Sequence, residues 1–335
     1  MQEGKAGHYV RCELPARYLP GKTANLDFTT PVLNGTHPDG SPKVDFPDQE
    51  GAAIWCLPGN ATRGVLMRAQ QLNGTRVLVE VDDNYLTMPP HKTEWQKDIV
   101  PGDQEDHHSR DAHRRIVQNV ADGIIVSTPY LEKRYQREIG KPVFLCRNTV
   151  DPQDWECVKE VKKDDEILRF GWSASESHRF DAALIAPAMR WLAKQDGVIC
   201  CLVGLQPAEM ENIMCERAGW TNDLEVFRKN LAHFDVGFCP VKRTDWSAAR
   251  SDLKALEYSM AGAVSIVSKN EPYDLWQSPD MPCLQAGNHK EFLKAAQWCV
   301  KHRDELKAIA RQAKDYVLAE RTTEKNVWHW EEAIA

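Results

Sequence analysis

Apolar and polar positions alternate with two periods along this chain. Short β-branched and apolar runs lie at residues 8–13, 52–57, 76–81, 123–127 and 142–146, and again at 168–172, 198–203, 236–240, 264–267 and 281–284. Runs of this length bounded by turn-forming residues predict strands. Longer stretches with helical spacing lie at 62–72, 107–121, 129–140, 180–195, 251–261 and 290–319, and predict helices. Strands separated by helices imply parallel sheets covered on both faces. Residues 25–50, rich in Gly, Pro, Thr and Asp, read as irregular loop with at most one short strand.

A chain of 335 residues exceeds the size at which one core keeps growing, so two domains are expected. The charged stretch at 156–166 has the composition of a linker and places the boundary near residue 160. The fold class is α/β: two Rossmann-like, doubly wound domains, residues 1–160 and 161–319. In such sheets ligands bind at the carboxyl ends of the strands, and a central cleft is the default site.

Composition narrows the function. The 49 acidic residues outnumber 42 basic ones, giving a net charge of −7, so no global positive field drives nucleic-acid or anionic-membrane binding. Ten cysteines without a C-x-x-C pair read as reduced core thiols, and no run approaches a signal peptide or a membrane span. A cytoplasmic protein is expected, in which the Asn-x-Ser/Thr triplets at Asn34, Asn60 and Asn73 carry no glycan. The first strand is not followed by G-x-G-x-x-G, which argues against a nicotinamide oxidoreductase.

The most informative segment is 235–269, which reads strand, polar loop, helix, Gly turn, strand. Ser251 or Asp252 can cap the helix, leaving amides near Asp252, Leu253 and Lys254 directed out of its first turn, where a diphosphate binds naturally. Lys254 stands at the end of the helix where a cation is electrostatically misplaced. Glu257, three residues on, shares its face and has the chemistry to accept hydrogen bonds from two ribose hydroxyls. A solvated Lys254–Glu257 ion pair on a structural helix is the plainer alternative.

Arg250, Ser251, Asp252, Lys254, Glu257, Tyr258, Gly262, Val264 and Ile266 together resemble the donor-binding segment of retaining GT-B glycosyltransferases of the family-four type, including their short bacterial and bacteriophage members. The resemblance implies that Glu257 holds the nucleotide ribose and that the backbone of Ser251, Asp252, Leu253 and Lys254, with Arg250, meets the diphosphate. A second glutamate of that family falls here on Ala249, with Asp245 as a substitute. Residues 145–151, through Asn148 and Asp151, resemble the segment before the interdomain linker. Residues 170–181 resemble the first strand and loop of the donor domain, with Ser173, Ser175 and His178 within reach of phosphates or sugar. Residues 320–335 resemble the terminal helix that completes the first domain, anchored by Trp328 and Trp330.

In the first domain Asp82, Asp83 and Asn84 follow an apolar strand, and His107, His108 and His113 open a helix. Asp82, Asp83 and His113 are the candidates for acting on the acceptor, with Arg11 and Asn84 on the acceptor side. The carboxylate pair also suits a divalent cation, but the layout implies a metal-independent enzyme with no prosthetic group. The resemblance therefore implies transfer of a sugar, with retention, from a UDP-, GDP- or similar nucleotide sugar to an acceptor saccharide, by a monomer or homodimer. Two alternatives stay open. One is transfer to a hydroxylated base of bacteriophage DNA, needing a basic strip at Arg63, Arg68, Arg110, Arg114 and Arg115. The other is a nucleotide-sugar binding module without turnover.

Overall fold

The computed structural model describes residues 9–20, 32–36, 42–45, 54–58, 76–87, 114, 117–162, 164, 166–278 and 281–335. The predicted helix at 62–72, together with His107, His108, His113, Arg63, Arg68, Arg110 and Arg115, lies outside these residues. Contacts divide the chain into two compact units, Leu19–Arg147 with Trp328–Ala335, and Met1–Tyr18 with Asn148–Val327. The division falls at Arg147/Asn148 rather than near residue 160. The first part of the charged stretch, as far as Glu160, belongs to a 3-10 helix, Pro152–Glu160, that packs on the second unit through Trp155.

The first unit begins with an antiparallel pair, β1 (Val32–Thr36) and β2 (Pro42–Asp45), where composition had suggested irregular loop. A parallel sheet follows in the order β3 (Ile54–Pro58), β4 (Arg76–Val81), β5 (Gly123–Val126), β6 (Val143–Leu145). β4 and β5 are almost wholly buried, as expected of parallel strands covered on both faces. Arg114 and residues 117–120 are helical, in agreement with the predicted helix at 107–121. The helix α1 (Pro129–Ile139) starts at Thr128, whose hydroxyl accepts from the Leu131 amide, and stops at Gly140 in the left-handed region. The C-terminal helix Trp328–Ile334 returns to this unit. Trp330 and Ala333 pack on Leu78, Ile125 and Cys146, whereas Trp328 is 52 % exposed and is not an anchor.

The second unit is one six-stranded parallel sheet, built from β7 (Leu168–Ala174), β8 (Val198–Gly204), β9 (Glu216–Ala218), β10 (Val236–Cys239), β11 (Val264–Ser268) and β12 (Leu284–Ala286). Its spatial order is β12-β11-β10-β7-β8-β9. The chain starts in the middle, fills one side, then returns to the other side at β10. Strand order therefore reverses between β7 and β10, and that switch point is where a doubly wound sheet opens a crevice at its carboxyl edge.

Its helices are α2 (Ala182–Leu192), α3 (Leu224–Ala232), α4 (Leu253–Ala261), α5 (His289–Lys301) and α6 (Arg303–Glu320). Alternate strand residues divide between the two faces. Phe170, Trp172, Leu202 and Phe238 pack with α2 and α5, while Cys201, Val203 and Cys239 pack with α3, α4 and α6. The predicted single helix at 290–319 is two helices, because His302 leaves the helical region, with φ −118° and ψ 42°.

The N-terminal run at 8–13 was expected to be a strand of the first domain. Instead Tyr9–Glu13 forms a π-helical turn that continues into the short helix Leu14–Ala16. Tyr9, Val10 and Leu14 cluster with Leu224 and Leu253 of the second unit. The i,i+4 spacing of Val10 and Leu14 suits one face of a helical turn, and this tertiary burial overrides the local β-propensity.

Candidate functional site at the β7–β10 switch point

α4 leaves the carboxyl edge of the sheet after β10, and its seat depends on a glycine. A Cβ on Gly237 would lie 2.2 Å from the Tyr258 ring, so only glycine lets that ring lie against β10. The Tyr258 hydroxyl then accepts from the Ser173 amide at 2.9 Å and pairs with Ser173 Oγ at 3.0 Å, tying α4 to the end of β7. Ser173 was expected to touch the donor, but its side chain is buried in this contact. At its other end α4 closes on Gly262, φ 78°, with Ala263 N–H bonded to the Tyr258 carbonyl.

The first turn of α4 is held from below. Asp252 precedes the helix but does not cap it with its side chain. Its carboxylate instead takes two hydrogen bonds from Arg321, at 2.6 and 3.0 Å, and one from Trp276 Nε1 at 3.0 Å. Arg321 also donates to the Asn148 carbonyl. Ser251, the other predicted cap, accepts from Asn148 Nδ2 at 2.7 Å, and Asn148 Oδ1 accepts from Arg11 at 3.0 Å. Arg11 was expected at a strand end on the acceptor side. It is a buried residue of the second unit, carried there by the helical turn.

Beside this turn, Asp181 collects a second network. Its oxygens accept from Arg250 Nη1 at 2.6 Å, from the Lys242 amide at 2.7 Å, and lie 2.9 Å from His178 Nδ1; Arg250 also donates to the Ser177 carbonyl. Burial, then the Arg250 and Lys254 cations, hold His178 well below its usual pKa, so the ring is neutral at pH 7. Arg250 Nη1, which can only donate, also lies 2.8 Å from His178 Nδ1, so that nitrogen touches both the guanidinium and the Asp181 carboxylate. Burial raises Asp181, but its bond from His178, the Arg250 charge and the Lys242 amide outweigh it and leave its pKa lowered. Ser175, also a predicted donor contact, shares a hydrogen bond with Ser177 at 2.9 Å.

Two side chains on α4 remain. Among the described residues neither Lys254 nor Glu257 makes a hydrogen bond or ion pair, although both are only partly accessible. The solvated i,i+3 pair is therefore not formed. Burial lowers the Lys254 pKa, against the pull of Glu257. Burial raises Glu257 to about 7, against Lys254 and Arg228. By the geometry of a helix start, the amides of Leu253 and Lys254 have no acceptor within the helix. Glu257 and Leu253 border a shallow open recess whose other walls include Tyr9, Val10, Trp155, Phe227 and Arg228. Arg228 lies over the rings of Tyr9 and Trp155 and bonds to Asp154 at 3.2 Å. Ala249, where the family carries a glutamate, is buried.

In the first unit, Asp82 and Asp83 follow β4 and are half-buried, and Asn84 is fully buried. Tyr85 donates to Asp82 Oδ1 at 3.3 Å, and its amide to the Asp83 carbonyl. Arg114 is ion-paired with Glu138 at 3.4 Å.

Sequence reasoning missed Asp181, Arg228 and Arg321. Asp181 stands three residues after His178, a spacing that brings both to one side of a helical turn. No local pattern couples Arg321 to Asp252, 69 residues away.

No family model and no curated protein matches this chain. Solved structures do. Sucrose-phosphate synthase from Thermosynechococcus elongatus superposes with a TM-score of 0.59 at 13% identity, over 85% of this chain and 73% of that one. Anabaena HepE in complex with UDP and glucose gives 0.59 at 10%, over 84% and 77%. A glycosyltransferase from Rickettsia africae gives 0.54 at 9%, over 79% and 71%.

Proposed function

The chain has the GT-B fold, two Rossmann-like units, and on that footing we propose that it is a glycosyltransferase using a nucleotide sugar. The observation that carries this reading is the pair Lys254 and Glu257: recessed, of opposite charge, at the switch-point end of the sheet, and bonded to nothing among the described residues. Burying such groups without partners costs stability, and that cost is expected where a ligand completes them.

In this reading Glu257 accepts hydrogen bonds from the ribose hydroxyls. The diphosphate lies against the first-turn amides of α4, with Lys254 supplying positive charge as the leaving group develops. Arg250 does not reach the diphosphate alone. It is bound to Asp181, and together they hold the neutral His178 in place. The cationic groups meet the leaving-group charge, in keeping with a metal-independent reaction, and the family resemblance implies retention. Asp82 and Asp83, at the end of β4, are the groups available to orient an acceptor saccharide in the first unit.

The reading is tested by thermal shift with UDP-, GDP-, ADP- and TDP-sugars on wild type and Glu257→Ala. A ligand that binds only the folded state raises its melting temperature. At least one sugar nucleotide should stabilise the wild type and leave the variant unmoved. A panel without effect on the wild type, or with equal effect on both, overturns it.

A further inference from the structure

The segment Tyr9–Tyr18 begins the chain's described part, yet its contacts belong to the unit that carries α4. Tyr9 donates to Asp154, Arg17 pairs with Asp151 and Asp154 at 3.2 and 3.0 Å, and Val10 and Leu14 rest on Leu224 and Leu253. Tyr9, Val10 and Leu14 all line the recess that Glu257 borders. Arg11, 2 % exposed, points away from that recess into the relay to Asn148 Oδ1, whose amide donates on to Ser251 Oγ. Ser251 stands immediately before Asp252, where α4 begins.

From these contacts we infer that the N-terminal turn is a working wall of the donor recess, and that Arg11 is a positioning residue that sets the start of α4 through Asn148 and Ser251. The physical reason is economy of fixed points. Arg321 and Trp276 fix Asp252 through its carboxylate, a hold about which the preceding backbone can still pivot. A second anchor at Ser251 removes the pivot, and both first-turn amides and Glu257 are then held in one orientation before ligand arrives. Preorganisation of this kind raises affinity by lowering the ordering cost of binding. Asn148 carries both anchors, since its side chain serves Arg11 and Ser251 while its carbonyl serves Arg321. Arg11 reaches Asn148 Oδ1 through Nη1 of a rigid planar guanidinium, a geometry that a lysine ammonium does not reproduce.

This inference rests on the donor-site reading above, and its test separates the two. Calorimetry with the stabilising sugar nucleotide is run on wild type, Arg11→Lys, Ser251→Ala and the double variant, alongside hydrogen exchange of the ligand-free proteins. Arg11→Lys should weaken donor binding about tenfold, equivalent to about 1.4 kcal/mol. The double variant should be no weaker than Arg11→Lys, because both break one relay. Exchange at the Ala255 and Leu256 amides, which bond to the Asp252 carbonyl, should quicken in both single variants while the strands of the sheet keep their protection. Should Arg11→Lys fail to fold, Ser251→Ala carries both readouts alone. Wild-type affinity in the single variants, additive losses in the double, or unchanged exchange at those amides overturns the role of Arg11. A wild type that binds no sugar nucleotide overturns instead the reading on which it rests, while the exchange result still decides whether the relay orders α4.

Discussion

Two carboxylates five residues apart at α4 live in opposite circumstances. Asp252 is buried and saturated, with Arg321 on both oxygens and Trp276 on one. Glu257 is recessed and unbonded among the described residues, with its pKa raised by burial to about 7. The saturated group fixes the frame, and the unsatisfied one is left for something that is not protein. The contrast teaches that acidic residues within one motif divide into structural and ligand-seeking groups by their partners, which residue identity alone does not reveal.

The comparison is broken most severely at Asp252. Asp252→Ala leaves Arg321 charged and buried without its partner, and should cost about 3–5 kcal/mol of stability in urea denaturation. A loss below about 1 kcal/mol would show that the pair is not structural. Glu257→Ala should do the reverse, costing no stability and raising the dissociation constant of the sugar nucleotide by roughly 10–100-fold, the equivalent of about 1.5–3 kcal/mol for a charged hydrogen-bond acceptor. Calorimetry checks this directly.

Titration sharpens the same contrast. Because burial raises Glu257 to about 7 and the ionised form is the one that binds ribose, donor affinity should rise roughly tenfold between pH 6 and 8. The dependence should vanish in Glu257→Gln. For stability the sign is opposite. The folded pKa lies above the ordinary 4.5, so the stabilisation is complete in acid and is lost as pH rises through about 7. Glu257→Gln should therefore match wild type near pH 4 and exceed it at pH 8, by up to about 3 kcal/mol. A variant of equal stability at both would place the wild-type carboxylate in ordinary solvent. The smallest effect is expected at Tyr258→Phe, which removes the hydroxyl from Ser173 and should cost about 1 kcal/mol. Its donor affinity should fall only slightly, since Arg321 still holds the helix start.

Much of this was legible in the chain. All five strands and the main helices predicted for the second unit occur within a few residues of their expected places, because a parallel strand buried on both faces must be a continuous apolar run. The helix from 251 to 261, its glycine stop and the shared face of Lys254 and Glu257 were equally legible, since helical spacing and capping are local properties. The residues that hold that helix were not. Arg321, Asp181, Asn148 and Arg11 reach it from four separate parts of the chain, and no periodicity couples positions so far apart. The N-terminal run misled for a related reason. Its Tyr9 and Val10 favour a strand, but Val10 and Leu14 gain more by burying one helical face on Leu224 and Leu253.

The sequence by itself determined the alternation of strands and helices, the α4 helix and the chemical types on its face, because those follow from spacing and side-chain chemistry within a dozen residues. Only the tertiary structure decided which charges are neutralised and which remain. Partners converge across long separations at the reversal of strand order between β7 and β10, and burial there sets both the hydrogen bonding and the proton affinity of each group.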